Sequence, residues 1–210
     1  MPYTETMKVV ILKYNAGNIL SVQHALRRLD VEALPSDDPR EIEAADKVIF
    51  PGVGEASSAM SYLKERGLDL CLKSLRQPVL GICLGLQLLC EWSEEGDTSA
   101  IGVFPQRVRR FPQQTLGDGS DQTAPRLKVP HMGWNQLEDV RGPLFEGVAA
   151  PYVYFVHSYF AEVGPDSAAV TRYIQPFSAA LQSRNFYALQ FHPEKSGEAG
   201  ARILANFLKL

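Results

Sequence analysis

The sequence is poor in cysteine, with three among its 210 residues, at positions 71, 83 and 90. An odd number without the short paired spacing of metal ligands argues against a disulfide framework and a zinc site. No apolar run approaches the ~20 residues that span a bilayer, and the first eight residues lack the apolar core of a signal peptide. We therefore expect a protein of a reducing, cytoplasmic compartment that neither enters a membrane nor binds a structural metal.

Basic residues are not in surplus either, because the net charge is −3. This balance argues against a nucleic-acid binder, which usually carries an excess of lysine and arginine. An apolar content of 45% and a charged content of 21% are those of an ordinary globular protein, and the length suits one domain. We expect a disordered N-terminal lead over residues 1–7, a single domain over residues 8–210, and a flexible surface insertion at residues 113–125, which are polar.

Apolar segments alternate with helical patterns in the first half of the chain and give way to successive strands in the second. Short apolar runs such as residues 9–12 and 47–50 predict buried strands, and residues 21–29 show helical spacing. After position 150, four strand-like segments follow one another. This order predicts an α/β fold whose mixed central sheet has a parallel core, an antiparallel extension and flanking helices.

The most informative stretch is a strand, a cysteine and a helix in direct succession. Residues 79–82 are an apolar run, Cys83 follows, and residues 84–92 have a helical pattern. Gly81 and Gly85 flank the cysteine at two residues on either side, which is the G-x-nucleophile-x-G elbow with sulfur as the nucleophile. The turn would place the sulfur at a helix N-terminus, where the helix dipole favours a thiolate and the amide of Leu84 can face an oxyanion. An inert, buried core cysteine is the alternative interpretation.

A second chemical signal lies near the end of the chain. His192 and Glu194 follow the strand-like segment 187–191, and Pro193 fixes the spacing between them. A thiol nucleophile needs a histidine to move its proton and a carboxylate to orient the imidazole. One histidine and one glutamate are too few for a structural zinc site. We therefore predict a Cys83–His192–Glu194 triad.

Other candidates accompany this triad. Residues 51–54 place two glycines after a strand, where backbone amides can turn toward a ligand, although a plain turn would have the same composition. Gln87 lies four residues after Cys83 and thus on the same helix face. Residues 129–135 form an unusual loop of the predicted fold, in which His131 is a weaker candidate base.

The elbow 81–87 and the segment 191–194 resemble those of class I, triad-type glutamine amidotransferases. More narrowly, nearly the whole chain is similar to the glutaminase subunits of imidazole glycerol phosphate synthases. Six segments carry this narrower resemblance: 14–18, 51–54, 93–96, 130–135, 154–159 and 192–196.

The resemblance implies a flavodoxin-like glutaminase fold and hydrolysis of L-glutamine without a cofactor. Cys83, His192 and Glu194 would be catalytic, and the amides of Val53 and Leu84 would form the oxyanion hole. Ammonia would pass to a cyclase subunit, a (β/α)₈ barrel bound as a heterodimer, which makes imidazole glycerol phosphate and an aminoimidazole carboxamide nucleotide in histidine biosynthesis. The resemblance assigns substrate contacts to Gly52, Gly54, Gln87, Glu95, Ser158 and Tyr159, and partner contacts to Asn18, Tyr154 and Lys195.

Two departures and three alternatives remain at the level of sequence. Lys13 stands where the family often has an acidic residue, and the insertion at 113–125 is longer than is typical. The chain could instead serve another amidotransferase, of the pyridoxal phosphate or anthranilate type. It could also be a γ-glutamyl hydrolase or cysteine peptidase that acts without a partner, or a catalytically silent binding subunit.

Overall fold

The computed structural model describes residues 7–15, 17–113, 127–149 and 151–210. The predicted disordered lead and the predicted insertion at 113–125 lie almost entirely outside these residues. Within the described ranges, no helix combines the length and the apolar character needed to cross a bilayer.

Alternation of strands and helices dominates the first half, as the sequence pattern predicts. The helices are α1 (Ile19–Arg27), α2 (Pro39–Glu43), α3 (Ala56–Glu65), α4 (Leu68–Ser74), α5 (Leu84–Leu89) and α6 (Gly197–Lys209). The strands are β1 (Val9–Leu12), β2 (Ala33–Ser36), β3 (Lys47–Gly52), β4 (Val79–Cys83), β5 (Trp92–Ser93), β6 (Thr98–Ser99), β7 (Arg107–Arg110), β8 (His131–Gln136), β9 (Tyr152–His157), β10 (Tyr159–Ala161), β11 (Ser167–Arg172), β12 (Pro176–Ser183) and β13 (Phe186–Leu189).

A parallel core of five strands, in the order β2-β1-β3-β4-β13, forms one half of the central sheet. The carboxyl ends of these strands meet at one edge, where α/β folds place their ligand sites. Gly52 at the end of β3 is paired with Cys83 at the end of β4. The last residue of β13, Leu189, lies three positions before His192. The topology therefore brings the elbow and the histidine segment to the same edge.

Beyond β13 the sheet continues through β12, β10 and β7, each of which is antiparallel to the strand before it, and β11 pairs with the other edge of β12. The short strands β5 and β6 complete this half, and β5 runs parallel to β7. The predicted mixed sheet, with a parallel core and an antiparallel extension, is thus confirmed.

Hydrophobic side chains fill both faces of the sheet. Along β1, Val9 and Ile11 belong to the cluster that packs against α1 and α6, whereas Val10 and Leu12 belong to the cluster that packs against α3, α4 and α5. Alternation of this kind follows from the two-residue period of a strand. Because both faces are covered, the core strands are apolar throughout, as their sequences indicate.

Several predicted elements have different limits in the structure. The helix predicted over 84–92 ends at Leu89, because Cys90 is extended and Trp92 joins β5 beside Arg107. Helix α2 was not predicted from the sequence, and it begins where Asp38 Oδ1 accepts the amide of Arg40. The predicted loop at 129–135 is wrong, since all but its first two residues belong to β8, which pairs with β9 in a separate two-stranded sheet.

Candidate active site

Cys83 sits at the junction of β4 and α5 in a backbone conformation that side chains rarely adopt. Its φ is 54° and its ψ is −107°, which lies outside the ordinary helical and strand regions. Such conformations cost on the order of 1–3 kcal/mol and are found mainly at functional sites. The strain is the geometric signature of a nucleophile elbow, which turns the sulfur away from the sheet.

Both flanking glycines are required by close packing at this turn. A Cβ on Gly85 would overlap the carbonyl oxygen of Phe50 in β3. A Cβ on Gly81 would lie 2.8 Å from Leu89 Cδ1 and 3.0 Å from the backbone of Gly85. The absence of a Cβ at these positions lets α5 approach the sheet closely enough to form the tight turn.

His192 and Glu194 form a buried pair next to this elbow. His192 Nδ1 lies 2.8 Å from Glu194 Oε1, and both side chains are almost completely inaccessible to solvent. Because the carboxylate accepts, Nδ1 carries the proton of this hydrogen bond. The carboxylate thereby fixes the orientation of the ring and leaves Nε2 as the nitrogen that can exchange a proton with the nucleophile.

The electrostatic surroundings of His192 favour its protonated form. Burial alone would lower the pKa of His192, but the Cys83 sulfur and the Glu194 carboxylate outweigh burial and raise this pKa to about 10. Nε2 is buried and has no hydrogen-bond partner within the described residues, so it remains available to the sulfur. Catalytic hydrogen bonds of this type often tighten only when substrate binds.

The sulfur of Cys83 has two further polar neighbours. It lies 3.9 Å from the carbonyl oxygen of Val156, and Gln190 Nε2 donates to it at 3.7 Å. Gln190 is fully buried and was not predicted from the sequence to belong to the site. A glutamine in an otherwise apolar strand segment, two residues before the histidine, is the signal that could have identified it.

A cavity of about 350 Å³ opens at the elbow. Its walls hold predicted nucleophile, oxyanion and substrate residues together with three residues that were not predicted to contact a ligand. The lining residues are Val53, Gly54, Cys83, Leu84, Gln87, Glu95, Pro130, Val156, His157, Ser158 and Tyr159. The volume exceeds that of a small amino acid and suits a ligand of the size of glutamine.

The two predicted polar side chains of the cavity are held by hydrogen bonds to backbone atoms and, for Gln87, to the side chain of Gln190. Gln87 Nε2 donates to the carbonyl oxygen of Tyr159 at 2.9 Å and to Gln190 Oε1 at 3.1 Å. With both amide hydrogens engaged, Oε1 of Gln87 is the atom able to accept from a ligand amine. Glu95 Oε2 accepts the amide of Ala56 at 2.8 Å, while burial raises the pKa of the Glu95 carboxyl above its usual value.

The predicted oxyanion segment 51–54 runs from the sheet into the cavity wall. Val53 is partly exposed, and Gly54 has a φ of +114°, a conformation that favours glycine. Gly52 does not line the cavity, because it is enclosed between Tyr14 and Leu84. The hydroxyl of Tyr14 donates to the carbonyl oxygen of Pro51 at 2.8 Å and thereby fixes the start of this segment.

The three predicted partner contacts lie outside the cavity. Asn18 precedes α1 and is half-buried, whereas Lys195 is exposed. Tyr154 on β9 packs edge-on against Trp134 at 6.1 Å between ring centroids, and Lys195 Nζ lies 5.9 Å from the centre of the Tyr154 ring. Tyr154 and Lys195 are therefore neighbours, and Tyr154 belongs to the β8–β9 hairpin, which also exposes Met132, Trp134 and Tyr152.

Two histidines that are close to the cavity have the opposite electrostatic character to His192. Burial lowers the pKa of His131 to about 4 and that of His157 to about 3, so both are neutral at physiological pH. His157 lines the cavity, but its Nε2 faces His131 at 3.0 Å and not the sulfur. Neither ring is placed to replace His192 as the base.

Comparison with known proteins agrees with this geometry. The family model described as "Glutamine amidotransferase class-I" matches residues 10–210. The chain is 56% identical over 208 residues to the imidazole glycerol phosphate synthase subunit HisH of Bacteroides fragilis, covering 97% of this chain and 100% of that protein. The proteins of the same name from Bacteroides thetaiotaomicron and Shewanella oneidensis are 54% and 43% identical, with coverage of 97% and 99% of this chain and 100% and 98% of theirs.

Solved structures share the fold at lower identity. A crystal structure of a glutamine amidotransferase superimposes with a TM-score of 0.69 at 21% identity, covering 96% of this chain and 97% of that one. A glutamine amidotransferase from Thermotoga maritima has a TM-score of 0.61 at 17% identity, with coverage of 97% of this chain and 83% of that one. These similarities establish the architecture that carries the elbow and the buried histidine.

Proposed function

The chain belongs to the class-I glutamine amidotransferase family, and on this basis we propose that it is the glutaminase subunit of an imidazole glycerol phosphate synthase. It hydrolyses L-glutamine to L-glutamate and ammonia and delivers the ammonia to a separate cyclase subunit. The observation that carries the chemistry is the meeting of Cys83 with the His192–Glu194 pair beside one cavity. The observation that supports this particular synthase is the similarity, over almost the full length of both chains, to subunits named HisH.

The first half of the reaction forms a thioester. The thiolate of Cys83 attacks the side-chain carboxamide carbon of glutamine, and the electron pair of the C=O bond moves to the oxygen. The amides of Val53 and Leu84 stabilise that oxyanion, each by about 3 kcal/mol if they act like other oxyanion-hole donors. The imidazolium of His192 then gives its Nε2 proton to the amide nitrogen, the C–N bond breaks, and ammonia leaves.

The second half regenerates the enzyme. Neutral His192 removes a proton from a water molecule, which attacks the γ-glutamyl thioester carbon. The tetrahedral intermediate collapses with cleavage of the C–S bond, so that glutamate leaves and Cys83 returns to the thiolate. Glu194 holds the ring in the same orientation throughout, because its hydrogen bond to Nδ1 is compatible with both protonation states of Nε2.

The cavity wall offers a place for each end of the substrate. The Glu95 carboxylate and the Gln87 amide oxygen are suited to the α-amino group of glutamine, and the backbone at Ser158 and Tyr159 is suited to the remaining polar atoms. We assign the cyclase partner, a (β/α)₈ barrel, to the side of Asn18, Tyr154 and Lys195. A cytoplasmic heterodimer completes the proposal, and the free state of all three cysteines is compatible with a reducing compartment.

The proposal is tested by ammonia release from glutamine, measured for this chain alone and with the cyclase subunit of its own source organism and the nucleotide on which that subunit acts. We expect slow release by the isolated chain and a large increase in the full mixture. Cys83→Ala should abolish glutamine-dependent synthesis and leave synthesis from added ammonium salts intact, because the cyclase does not need the thiol. Cys71→Ala, a change at a cysteine outside the site, is the matched control and should retain both activities.

Two results would contradict the proposal. Loss of ammonia-dependent synthesis with Cys83→Ala would show that the thiol is not confined to glutamine hydrolysis. Release of ammonia that is not accelerated by any cyclase subunit, together with cleavage of γ-glutamyl peptides, would assign the chain to hydrolases that act alone.

A further inference from the structure

The β8–β9 hairpin buries two histidines that the proposed reaction does not use. His131 and His157 face each other in the register of the two strands and are 3% and 6% exposed. His131 Nδ1 lies 3.0 Å from His157 Nε2. A buried polar pair of this kind needs full hydrogen bonding to be tolerated, and its partners therefore indicate what it does.

The hydrogen-bond partners fix where the protons are. His157 Nδ1 lies 2.8 Å from the carbonyl oxygen of Tyr159, which can only accept, so Nδ1 of His157 carries a hydrogen. Because burial keeps both rings neutral, Nε2 of His157 accepts from Nδ1 of His131. Nε2 of His131 in turn faces Asn135 Nδ2 at 3.4 Å. The three hydrogen bonds therefore run in the same direction: Asn135 donates to His131, His131 donates to His157, and His157 donates to Tyr159.

The chain of donors ends on an atom that also belongs to the candidate active site. The carbonyl oxygen of Tyr159 accepts from Gln87 Nε2, and Gln87 donates to Gln190 as well. Gln190 then donates to the sulfur of Cys83. A continuous series of hydrogen bonds therefore joins the hairpin to the cavity wall and the nucleophile.

The ring of His131 is clamped in the orientation that this chain of donors requires. It stacks on Tyr173 with 4.0 Å between ring centroids and on Phe155 with 4.8 Å, at interplanar angles of 21° and 22°. Parallel neighbours on a ring of this size hinder rotation out of the plane, so that Nδ1 stays directed at His157. The arrangement fixes the hydrogen bond that His157 makes to Tyr159.

We propose that His131 and His157 are positioning residues for glutamine, which hold the Tyr159 carbonyl and through it the Gln87 amide against the substrate cavity. This inference rests on the proposed function, because it takes glutamine as the substrate that binds in the cavity. The two histidines touch no reacting atom, so their removal should weaken glutamine binding more than it slows the chemical steps.

Paired substitutions at position 157 test the proposal in the complete complex of this chain with its nucleotide-bound cyclase subunit. His157→Leu removes the donor to Tyr159 and should raise the KM for glutamine about tenfold, while kcat changes less than about threefold. His157→Asn places an amide N–H near the position of Nδ1 and should restore KM to within about threefold of the parent value. His24→Asn, a change at an exposed histidine of α1, is the matched control and should leave both constants unchanged.

A second measurement needs no variant and does not depend on activity. Nitrogen-15 chemical shifts of the imidazoles in the unmodified chain at pH 7 should identify His131 and His157 as neutral rings protonated at Nδ1. Protonation at Nε2 of either ring would overturn the proposed direction of the donors. This measurement also decides the question if His157→Leu fails to fold.

The kinetic result separates the inference from the function on which it rests. Glutamine hydrolysis by the parent complex with an unchanged KM in His157→Leu, or an equal loss of kcat in the leucine and asparagine variants, would overturn the positioning role and leave the glutaminase function in place. Absence of glutamine hydrolysis in the parent complex would overturn the function itself, whatever the tautomers are.

Discussion

Gln190 shows how one buried side chain can connect substrate recognition to the nucleophile. Its amide accepts from Gln87 and donates to Cys83, and it has no access to solvent. A donor that faces the sulfur favours the thiolate over the thiol, since the charged form accepts the stronger hydrogen bond. We therefore expect Gln190 to influence the reactivity of Cys83 as well as the position of the cavity wall.

Replacement of Gln190 by leucine should lower kcat/KM for glutamine by roughly 10- to 100-fold, because the sulfur loses a donor and Gln87 Nε2 is left without one of its acceptors. The rate of Cys83 alkylation by iodoacetamide at pH 7 should fall in parallel. Gln175→Leu, at an exposed glutamine in the turn before β12, should change neither quantity. Unaltered alkylation of Gln190→Leu would show that the 3.7 Å contact does not influence the thiolate.

The raised pKa of His192 leads to a prediction for the pH profile. Since His192 is held protonated by Cys83 and Glu194, the imidazolium should persist to alkaline pH and be lost only as the pH rises through its pKa of about 10. Glu194→Gln removes one of the groups that raise this pKa, so the alkaline limb of kcat/KM should move to lower pH by about one unit or more. Turnover should also fall, because the amide no longer stabilises the imidazolium.

The control for this profile is Glu198→Gln, which removes an exposed carboxylate of α6 close in sequence to the triad. Its alkaline limb should coincide with that of the parent protein. An alkaline limb that stays in place in Glu194→Gln would mean that this limb reports a group other than His192.

At the scale of elements, the elbow depends on how closely α5 approaches β3. Gly85→Ala would place a Cβ on the carbonyl oxygen of Phe50, so either the helix or the strand must move. We expect a loss of about 2–4 kcal/mol in the free energy of unfolding and a fall in Tm of about 5–10 °C, measured by thermal denaturation. Activity should decline further than stability, because the same displacement moves Cys83 and the Leu84 amide.

Gly67→Ala is the informative comparison for this substitution. Gly67 has a conformation that favours glycine, with a φ of +65°, whereas Gly85 does not, and no atom lies within 4 Å of the Cβ added at Gly67. Its cost should be limited to backbone strain of about 1 kcal/mol. Equal destabilisation by the two substitutions would show that the contact with Phe50 costs no more than ordinary backbone strain and does not make Gly85 necessary.

The elements that carry the triad could be predicted because each has a strong local signal. The apolar runs of β1, β3 and β4 and the glycines around Cys83 specify buried strands and a tight turn without reference to the rest of the fold. Helix α2 has only five residues, too few for a periodic pattern, and β8 contains His131, Gly133 and Trp134, which do not alternate in the usual way. Both elements depend on tertiary partners that the local sequence does not reveal.

The same distinction applies to the residues of the site. Cys83, His192 and Glu194 follow from the chemistry of a thiol nucleophile, and the structure places them together. Gln190 and His157 were missed, because a polar residue within a strand is also typical of a solvent-facing position. Gln190 contacts residues more than one hundred positions away, and His157 joins His131 on the paired strand to the carbonyl of Tyr159, so that no spacing rule predicts these roles.

At the scale of the whole molecule, the described surface has a group of large exposed side chains on the β8–β9 hairpin. Met132, Trp134 and Tyr152 are 63%, 54% and 60% exposed, and Tyr154 and Lys195 lie beside them. Exposed apolar groups that cluster in this way mark interaction surfaces. The hairpin also begins the hydrogen-bond chain to Tyr159, so a partner bound here would contact the element that positions the cavity wall.

Trp134→Glu should therefore weaken binding to the cyclase subunit without weakening the chain itself. A buried tryptophan at the centre of an interface commonly contributes about 2 kcal/mol or more, so we expect Kd to rise at least about 30-fold by calorimetric titration. The Tm of the isolated variant should change little, because about half of the surface of Trp134 is already exposed to solvent. Leu70→Glu provides the control, since Leu70 is as exposed but lies on α4, which packs on the other face of the sheet from α6. If Leu70→Glu weakened binding as much as Trp134→Glu, the partner would have to be placed on that other face, and the hairpin could not be its docking site.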